Sequence, residues 1–565
     1  MIAEKIFTSP AVKRQPGEAQ TEQSKMNPAM YRVFAVALTI ALIHIGNLNA
    51  LANCPVSCRC DEQNLMVNCG EGQLDVLPIA LNPSIKRLII QNNKIKTIDS
   101  SMQFYSELQF LDLSNNQLLT IPARSFQYQK NLKELNLNKN KIGSIGNGTF
   151  VGLTSLTALN LGDNFLSDLG AGIFAMLPKL EELNLSKNRI DRIDPSAFMS
   201  LINLRVLHLN DNSLSKVPSD SFQSLNSLAE LYLGINAFGT IENGAFEQLN
   251  GLSLLDLKGV GLENISSETF RGLKMTLRTL DISDNSLKIV PTQSLNQLER
   301  LEQLTLGQNP IETIGNDAFI DLTNLRKLDI SGSIKLRSIE TNAFASNTNL
   351  ETITIVSNKA LTDIQMGAFS GLPHLKNINL RDNALAIIPE NLFKWDELQT
   401  FDFSDNPLLC DCRILWLQTL LNNRHNTSQT SIDNVLCAAP DTVHDQPLKT
   451  LSADLIGCAS DNMQQQAMIG ILLVVSVALI TILLLLLFRC RRRLREAFKG
   501  RWNDSALGNK EREYQKTFSD EEFMHVRNLS HTPCSLNLHQ PTSTLSNYSH
   551  QYHQPGIRPI PVTEL

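Results

Sequence analysis

Between Cys69 and Cys410 the chain runs for 340 residues without a cysteine. The ten cysteines stand aside from that interval: four from Cys54 to Cys69, four from Cys410 to Cys458, and Cys490 and Cys534 further on. Two even clusters flanking a cysteine-free stretch read as oxidised caps at the two ends of something. An excess of base is also missing. With 50 basic against 56 acidic side chains the balance is mildly acidic, and nothing in it calls for a nucleic-acid partner. At 565 residues the chain exceeds one compact core.

Charge is absent altogether from two apolar runs, and these decide the expected compartment. The first, "VFAVALTIALIHIG" after Arg32, ends in "NALAN", where Ala50 and Ala52 fit the small-residue positions of a signal-peptide cleavage site. Residues 1–52 are therefore expected to be a signal peptide with a long polar leader, with Met26 as an alternative start. The second, residues 467–488, has 22 residues without a charge. At about 1.5 Å per residue it reaches roughly 33 Å, enough for a hydrocarbon core about 30 Å thick. Arg489, Arg491, Arg492, Arg493 and Arg495 follow at once and mark a cytoplasmic side. A single-pass plasma-membrane protein with its N-terminal part outside is expected.

What fills the cysteine-free interval is a repeat. "LEELNLSKNRI", Leu180 to Ile190, is one copy of L-x-x-L-x-L-x-x-N-x-L, the leucine-rich repeat signature. Fourteen copies begin at Ile85, Leu108, Leu132, Leu156, Leu180, Leu204, Leu228, Leu252, Leu277, Leu301, Leu325, Leu350, Leu375 and Leu398, spaced by 23 to 25 residues. Each makes a short strand and a return segment, and neither buries its apolar face without a neighbour. The expected fold is an α/β leucine-rich repeat solenoid, curved, with a parallel sheet on its concave face. Leu180, Leu183, Leu185 and Ile190 point inward, while Glu182, Asn184 and Ser186 alternate outward. Asn188 is framework, its amide satisfying backbone groups at the turn, whereas Asn184 is expected to carry little weight in folding. Phenylalanines recur from Phe126 to Phe270 every 24 residues and again from Phe319 to Phe393, and should stack as a spine on the return side. Val260 and Ser333 stand where the asparagine belongs, and weaker or wider stacking is expected there.

The terminal clusters, "CPVSCRCDEQNLMVNC" and "CDCRILW" with Cys437 and Cys458, resemble the cap modules of extracellular leucine-rich repeat proteins. That resemblance implies the pairs Cys54–Cys60, Cys58–Cys69, Cys410–Cys437 and Cys412–Cys458. Spacing alone leaves the connectivity open. Zinc ligation is the other use of such spacing, and a secreted segment favours disulfides over it. The domains expected are an N-terminal cap over 53–84, repeats over 85–408, a C-terminal cap and stalk over 409–466, the span over 467–488, and a disordered cytoplasmic tail over 489–565.

The outward face is polar and mildly acidic, with no basic stripe. His208 and Tyr232 fall on adjacent strands among Glu182, Glu230, Asp256 and Asp281, a patch a protein partner could use. The alternative is that such residues sit there because the position is solvated. A catalytic use of His208 lacks a nucleophile beside it and a pocket that excludes water, so no enzyme activity and no cofactor or metal is expected. Sequons at Asn147, Asn184, Asn264 and Asn426 are candidate glycan sites.

The 77-residue tail from Arg489 is polar, without the apolar periodicity of a signalling domain, and must act through recruited partners. Cys490 beside the bilayer fits palmitoylation, and an ordinary stop-transfer anchor fits it equally. The final "VTEL" places Thr563 and Leu565 as a PDZ groove would read them.

Caps, repeats, span and tail together, with "GRWNDSALGNKEREYQKTFSDEEFMHV" and "PCSLNLH" in the tail, resemble the Capricious/Tartan family of insect neuronal leucine-rich repeat receptors. The resemblance implies a cell-surface adhesion and recognition molecule used in axon targeting and cell sorting, with a partner on neighbouring cells or a second copy of itself. An accessory subunit for another receptor or channel would look much the same. A Toll-type immune receptor shares the ectodomain plan but requires a folded signalling domain longer than this tail.

Overall fold

The structure is a computed structural model that describes residues 54–423, 434–456, 458 and 461–499. The chain divides into two units, Met1–Gln464 and Gln465–Leu565.

Three signals recur along the repeats of the first unit. Outward side chains at the fifth motif position end the strand, a left-handed residue at the eighth reverses the chain, and the ninth-position asparagine closes the turn. All fourteen eighth-position residues have positive φ, from Asn92 at 58° to Asp405 at 60°. At the ninth position of the fifth repeat, Asn188 Nδ2 donates to the carbonyls of Leu161, Leu185 and Ser186, at 3.0, 3.0 and 3.2 Å. Its Oδ1 accepts from Leu166 N–H at 3.0 Å. One amide thus joins two repeats at four points, satisfying backbone groups that no ladder reaches.

Repeated, this geometry gives one sheet of sixteen strands. The first two belong to the N-terminal cap: Arg59–Asp61 pairs antiparallel with Met66–Asn68, which then pairs parallel with Arg87–Ile89 of the first repeat. The fourteen repeat strands follow in chain order and in register, each inward residue paired with the next, as Leu183 with Leu207 and Leu207 with Leu231. These leucines are fully buried and form one continuous core with the other motif leucines. Two smaller parallel sheets form beyond the turns, Asp168–Leu169 with Arg192–Ile193, and Thr313–Ile314 with Ser338–Ile339 and Asp363–Ile364.

The phenylalanine spine exists in two sections. Phe150, Phe174 and Phe198 stack at 5.9 and 6.0 Å, and Phe319, Phe344 and Phe369 at 5.6 and 5.1 Å. Between them the ninth repeat fills the position with Leu295, buried on the short helix Thr292–Leu295. The expected weakening of the sheet at Val260 and Ser333 is not found, since register runs unbroken through both repeats. At Val260 the next asparagine compensates: Asn285 Oδ1 accepts from both Val260 N–H and Leu262 N–H. At Ser333 a polar deficit takes the place of a wider gap, because the Ser333 hydroxyl and the Asn358 amide nitrogen are buried without a hydrogen-bond partner.

Disulfides Cys54–Cys60 and Cys58–Cys69 close the first end, and Cys410–Cys437 and Cys412–Cys458 the second. The C-terminal cap seals the core with helix Leu415–Asn423 and a cluster in which Trp395 meets Trp416 at 4.9 Å and Phe403 at 5.4 Å.

Helix Asp461–Lys499 carries a 25-residue stretch, Gln465–Arg489, whose most apolar 18 residues have a mean hydropathy of 3.3. It is long and apolar enough to cross a membrane. The signal-peptide region, Asn426, Thr563 and Leu565 lie outside the described residues, and Cys490 lies on this helix with its side chain outside them.

Candidate functional site on the concave sheet

Fifth-position residues form one row across the sheet, because register places them side by side. His208 pairs with Asn184 on one side and Tyr232 on the other, Tyr232 with Asp256, and Asp256 with Asp281. Most of this row is framework. Asp112, Asn136, Asn160, Asn184, Asp256, Asp281, Asp329, Asn379 and Asp402 each accept, through Oδ1, the backbone N–H two residues on. Such an Asx bond fixes the strand exit. Asn184 therefore does more for the fold than its outward position implied, since its Oδ1 accepts from both the N–H and the hydroxyl of Ser186, at 2.9 and 2.7 Å. The sequence pattern separates inward from outward but not free from bonded.

The breaks in the row now stand out. Five repeats carry other side chains there, Ile89, His208, Tyr232, Thr305 and Thr354, and His208 and Tyr232 are consecutive. Their rings stack at 4.4 Å with 15° between planes. The Tyr232 hydroxyl donates to Glu230 Oε2 at 2.8 Å. Burial, that bond and the nearby carboxylates push the tyrosine up to about 12. Burial pushes the His208 imidazole down, opposed by the charges of Glu182 and Glu230. Burial pushes the Asp256 carboxyl up; the Lys258 N–H it accepts works against this, and the charge of Asp281 adds to it. The five residues singled out from sequence, Glu182, His208, Tyr232, Asp256 and Asp281, thus lie on five neighbouring strands, with Glu230 as the sixth member. Of the sequon asparagines, Asn147 and Asn264 are exposed and Asn184 half-buried.

One residue escaped the sequence reading. Ile235 holds the left-handed eighth position of the seventh repeat at φ 54°, the one β-branched residue with positive φ among the described residues. Its counterparts are Asn, Asp, Lys, Gln, Ser or Gly. Ile235 is also 52% exposed. Aligning the eighth positions would have found it, as "LYLGIN" against "LNLSKN".

Comparison with known proteins agrees with this architecture. The BspA type leucine rich repeat region matches residues 119–252 in six copies, and other leucine rich repeat families match 107–128, 252–311, 300–359 and 348–408. Toll-like receptor 3 of Bos taurus is 46% identical over 79 residues, 14% of this chain and 9% of that protein. Human oligodendrocyte-myelin glycoprotein is 30% identical over 93 residues, 16% of this chain and 21% of its own length. Leucine-rich repeat and fibronectin type III domain-containing protein 1 of Danio rerio is 27% identical over 185 residues, 33% of this chain and 24% of that one. The match spans under a quarter of each relative. Among solved structures, a leucine-rich repeat protein of Leptospira interrogans superposes with TM-score 0.53 at 25% identity, covering 63% of this chain and 93% of that one. The receptor in a TLR13–ssRNA13 complex gives 0.50 at 25% identity, covering 67% and 63%.

Proposed function

Starting from a chain that belongs to the leucine-rich repeat proteins, we propose that it is a single-pass cell-surface adhesion and recognition receptor of the Capricious/Tartan kind, whose repeats bind a protein on a neighbouring cell. The observation that carries this reading is the open concave sheet, where the Asx row gives way to a stacked His208–Tyr232 pair ringed by carboxylates. Open sheets of this sort offer area and complementarity to a macromolecule, and little enclosure to a small one. Four disulfides at the solenoid ends suit an oxidising exterior. The apolar helix followed by arginines suits a type I orientation with the tail inside.

In this reading Asn147, Asn184, Asn264 and Asn426 carry glycans, and one on Asn184 stands a single strand away from His208. The tail couples the receptor to the interior through a PDZ scaffold at Thr563 and Leu565, with Cys490 as an acylation site at the bilayer. Axon target selection and cell sorting are the tasks such a receptor serves in the family it resembles.

Mixing labelled cells that express the full chain with cells that do not is the test. Clustering of expressing cells with one another indicates a homophilic partner, and adhesion to non-expressing cells a heterophilic one. If expressing cells do neither while the protein is at the surface, adhesion is lost as a reading and an accessory role beside another receptor or channel takes its place.

A further inference from the structure

The seventh and eighth repeats depart from the repeat plan in three ways, and the first two place unusual side chains at the surface. At the fifth position, Tyr232 replaces an Asx acceptor and stacks on His208. At the eighth, Ile235 replaces a polar residue or glycine, keeps the left-handed backbone, and leaves half its side chain in solvent. A β-branched residue gains nothing from φ 54°, yet the repeat plan imposes that backbone here as at the other thirteen eighth positions. At the ninth, Val260 replaces asparagine in the next repeat, following Gly259.

Glycines flank Ile235, and carboxylates take the room their side chains would fill: a Cβ on Gly234 would lie 3.0 Å from both Asp256 carboxylate oxygens. Gly234 precedes it, and a Cβ on Gly259 would lie 3.6 Å from Ile235 Cγ1 and beside Asp284. Gly261 faces only the Gly239 backbone, 3.8 Å from where its own Cβ would be. Another chain would thus meet the Asp256 and Asp284 carboxylates at this rim, beside the half-exposed Ile235 side chain.

The chemistry of the visitor follows from charge. Glu182, Glu230, Asp256 and Asp281 surround the aromatic pair, and none of the four forms an ion pair among the described residues. Lys258 is the cation whose charge bears on Asp256. A tyrosine face with a carboxylate hydrogen-bonded to its hydroxyl is suited to a guanidinium or ammonium group, which can lie on the ring and reach the carboxylate together.

We propose that this surface docks a basic segment of a protein partner, with an arginine or lysine over the His208–Tyr232 pair and an adjacent apolar side chain on Ile235. The inference rests on the receptor reading above and names the chemistry of the ligand. Acidic or uncharged segments, glycans and nucleic acid lack the complementary charge.

The test uses full-length protein in detergent and fluorescent peptides whose cores read Arg-Leu-Arg or Glu-Leu-Glu, followed by anisotropy up to millimolar peptide. The Arg-Leu-Arg peptide should bind at least tenfold more tightly than its acidic counterpart, with affinity falling as salt is raised. Tyr232→Ala and Glu230→Gln should each weaken it about tenfold, and Glu351→Gln, far along the sheet, should leave it unchanged. Ile235→Asn should weaken binding several-fold while raising the unfolding temperature, a pairing that a purely structural residue would not give. Equal binding of the two peptides, or indifference to all three variants at the surface, overturns the proposal. The cell-mixing assay separates the two claims. Adhesion without a preference for the basic peptide removes this inference and keeps the receptor, while that preference without adhesion does the reverse.

Discussion

The two halves of the solenoid share one strand geometry and hold it by different means. From the second repeat to the seventh, the ninth-position asparagines Asn116, Asn140, Asn164, Asn188, Asn212 and Asn236 form an unbroken ladder, each bonding into the repeat before it. Among the described residues no ion pair occurs before Glu247. From the eighth repeat on, the ladder lapses at Val260 and Ser333, and among the described residues four of the five buried, unpartnered side-chain atoms lie at Thr269, Ser333, Asn347 and Asn358. There, charges link successive repeats on the surface: Arg271 to Glu247, Arg278 to Glu302, Glu351 to both Arg326 and Lys376, and Arg381 to Asp405. Exposed pairs are screened by salt and contribute little, so they do not replace buried amide bonds. The N-terminal half thus has the more complete set of buried bonds between repeats, and the proposed docking surface lies at the junction.

The sharpest way to break this comparison is at the ladder. Asn188→Ala strands the carbonyls it served and should cost about 3 kcal/mol, seen as faster hydrogen exchange spreading from repeats four to six. The corresponding change in the other half, Ser333→Ala, removes a buried hydroxyl without a partner and should stabilise by about 1 kcal/mol. A loss at Ser333 would mean the two halves are held alike.

At the junction, Ile235→Asn supplies the residue type that tolerates a left-handed backbone and should gain about 1 kcal/mol in denaturant unfolding. Asp256→Asn keeps the Asx acceptor and removes a charge. Because the folded carboxyl titrates above its ordinary 3.8, Asp256 contributes stability only below that pH and loses it as pH rises through the folded value. The variant should therefore unfold at a higher temperature than the native chain at pH 7, with the difference closing below pH 3.8. The smallest effect is reserved for Glu351→Gln, which removes two exposed pairs. It should slightly lower the midpoint at low salt and do nothing in about 1 M salt, where the Debye length is about 3 Å.

Periodicity made the solenoid, its inward leucines and the Asn188 ladder legible, because each is a residue type forced at a fixed offset. It also brought Glu182, His208, Tyr232, Asp256 and Asp281 onto one patch, since a register that repeats every 23 to 25 residues leaves neighbours no other place. What escaped was set by conformation rather than composition. Asn184 reads as a free outward amide until its Oδ1 is found on Ser186, and Ile235 reads as ordinary until its φ is known. Leu295 hid in the gap between Phe270 and Phe319, since a spine interrupted once still looks periodic. The ion pairs depend on how long side chains turn across a repeat, and the motif does not encode that.

The fifth-position row has a bearing on how such a surface can change over time. Each repeat either closes its own strand exit there with an Asx acceptor, which leaves at most a carboxylate or amide edge for another molecule, or gives up that bond to display a different side chain. Nine of fourteen repeats are committed to closure by an Asx bond. A new specificity is thus written one repeat at a time, each time loosening the turn that presents it. The sheet's vocabulary for partners is bounded by how many loosened turns its caps and ladder can hold upright.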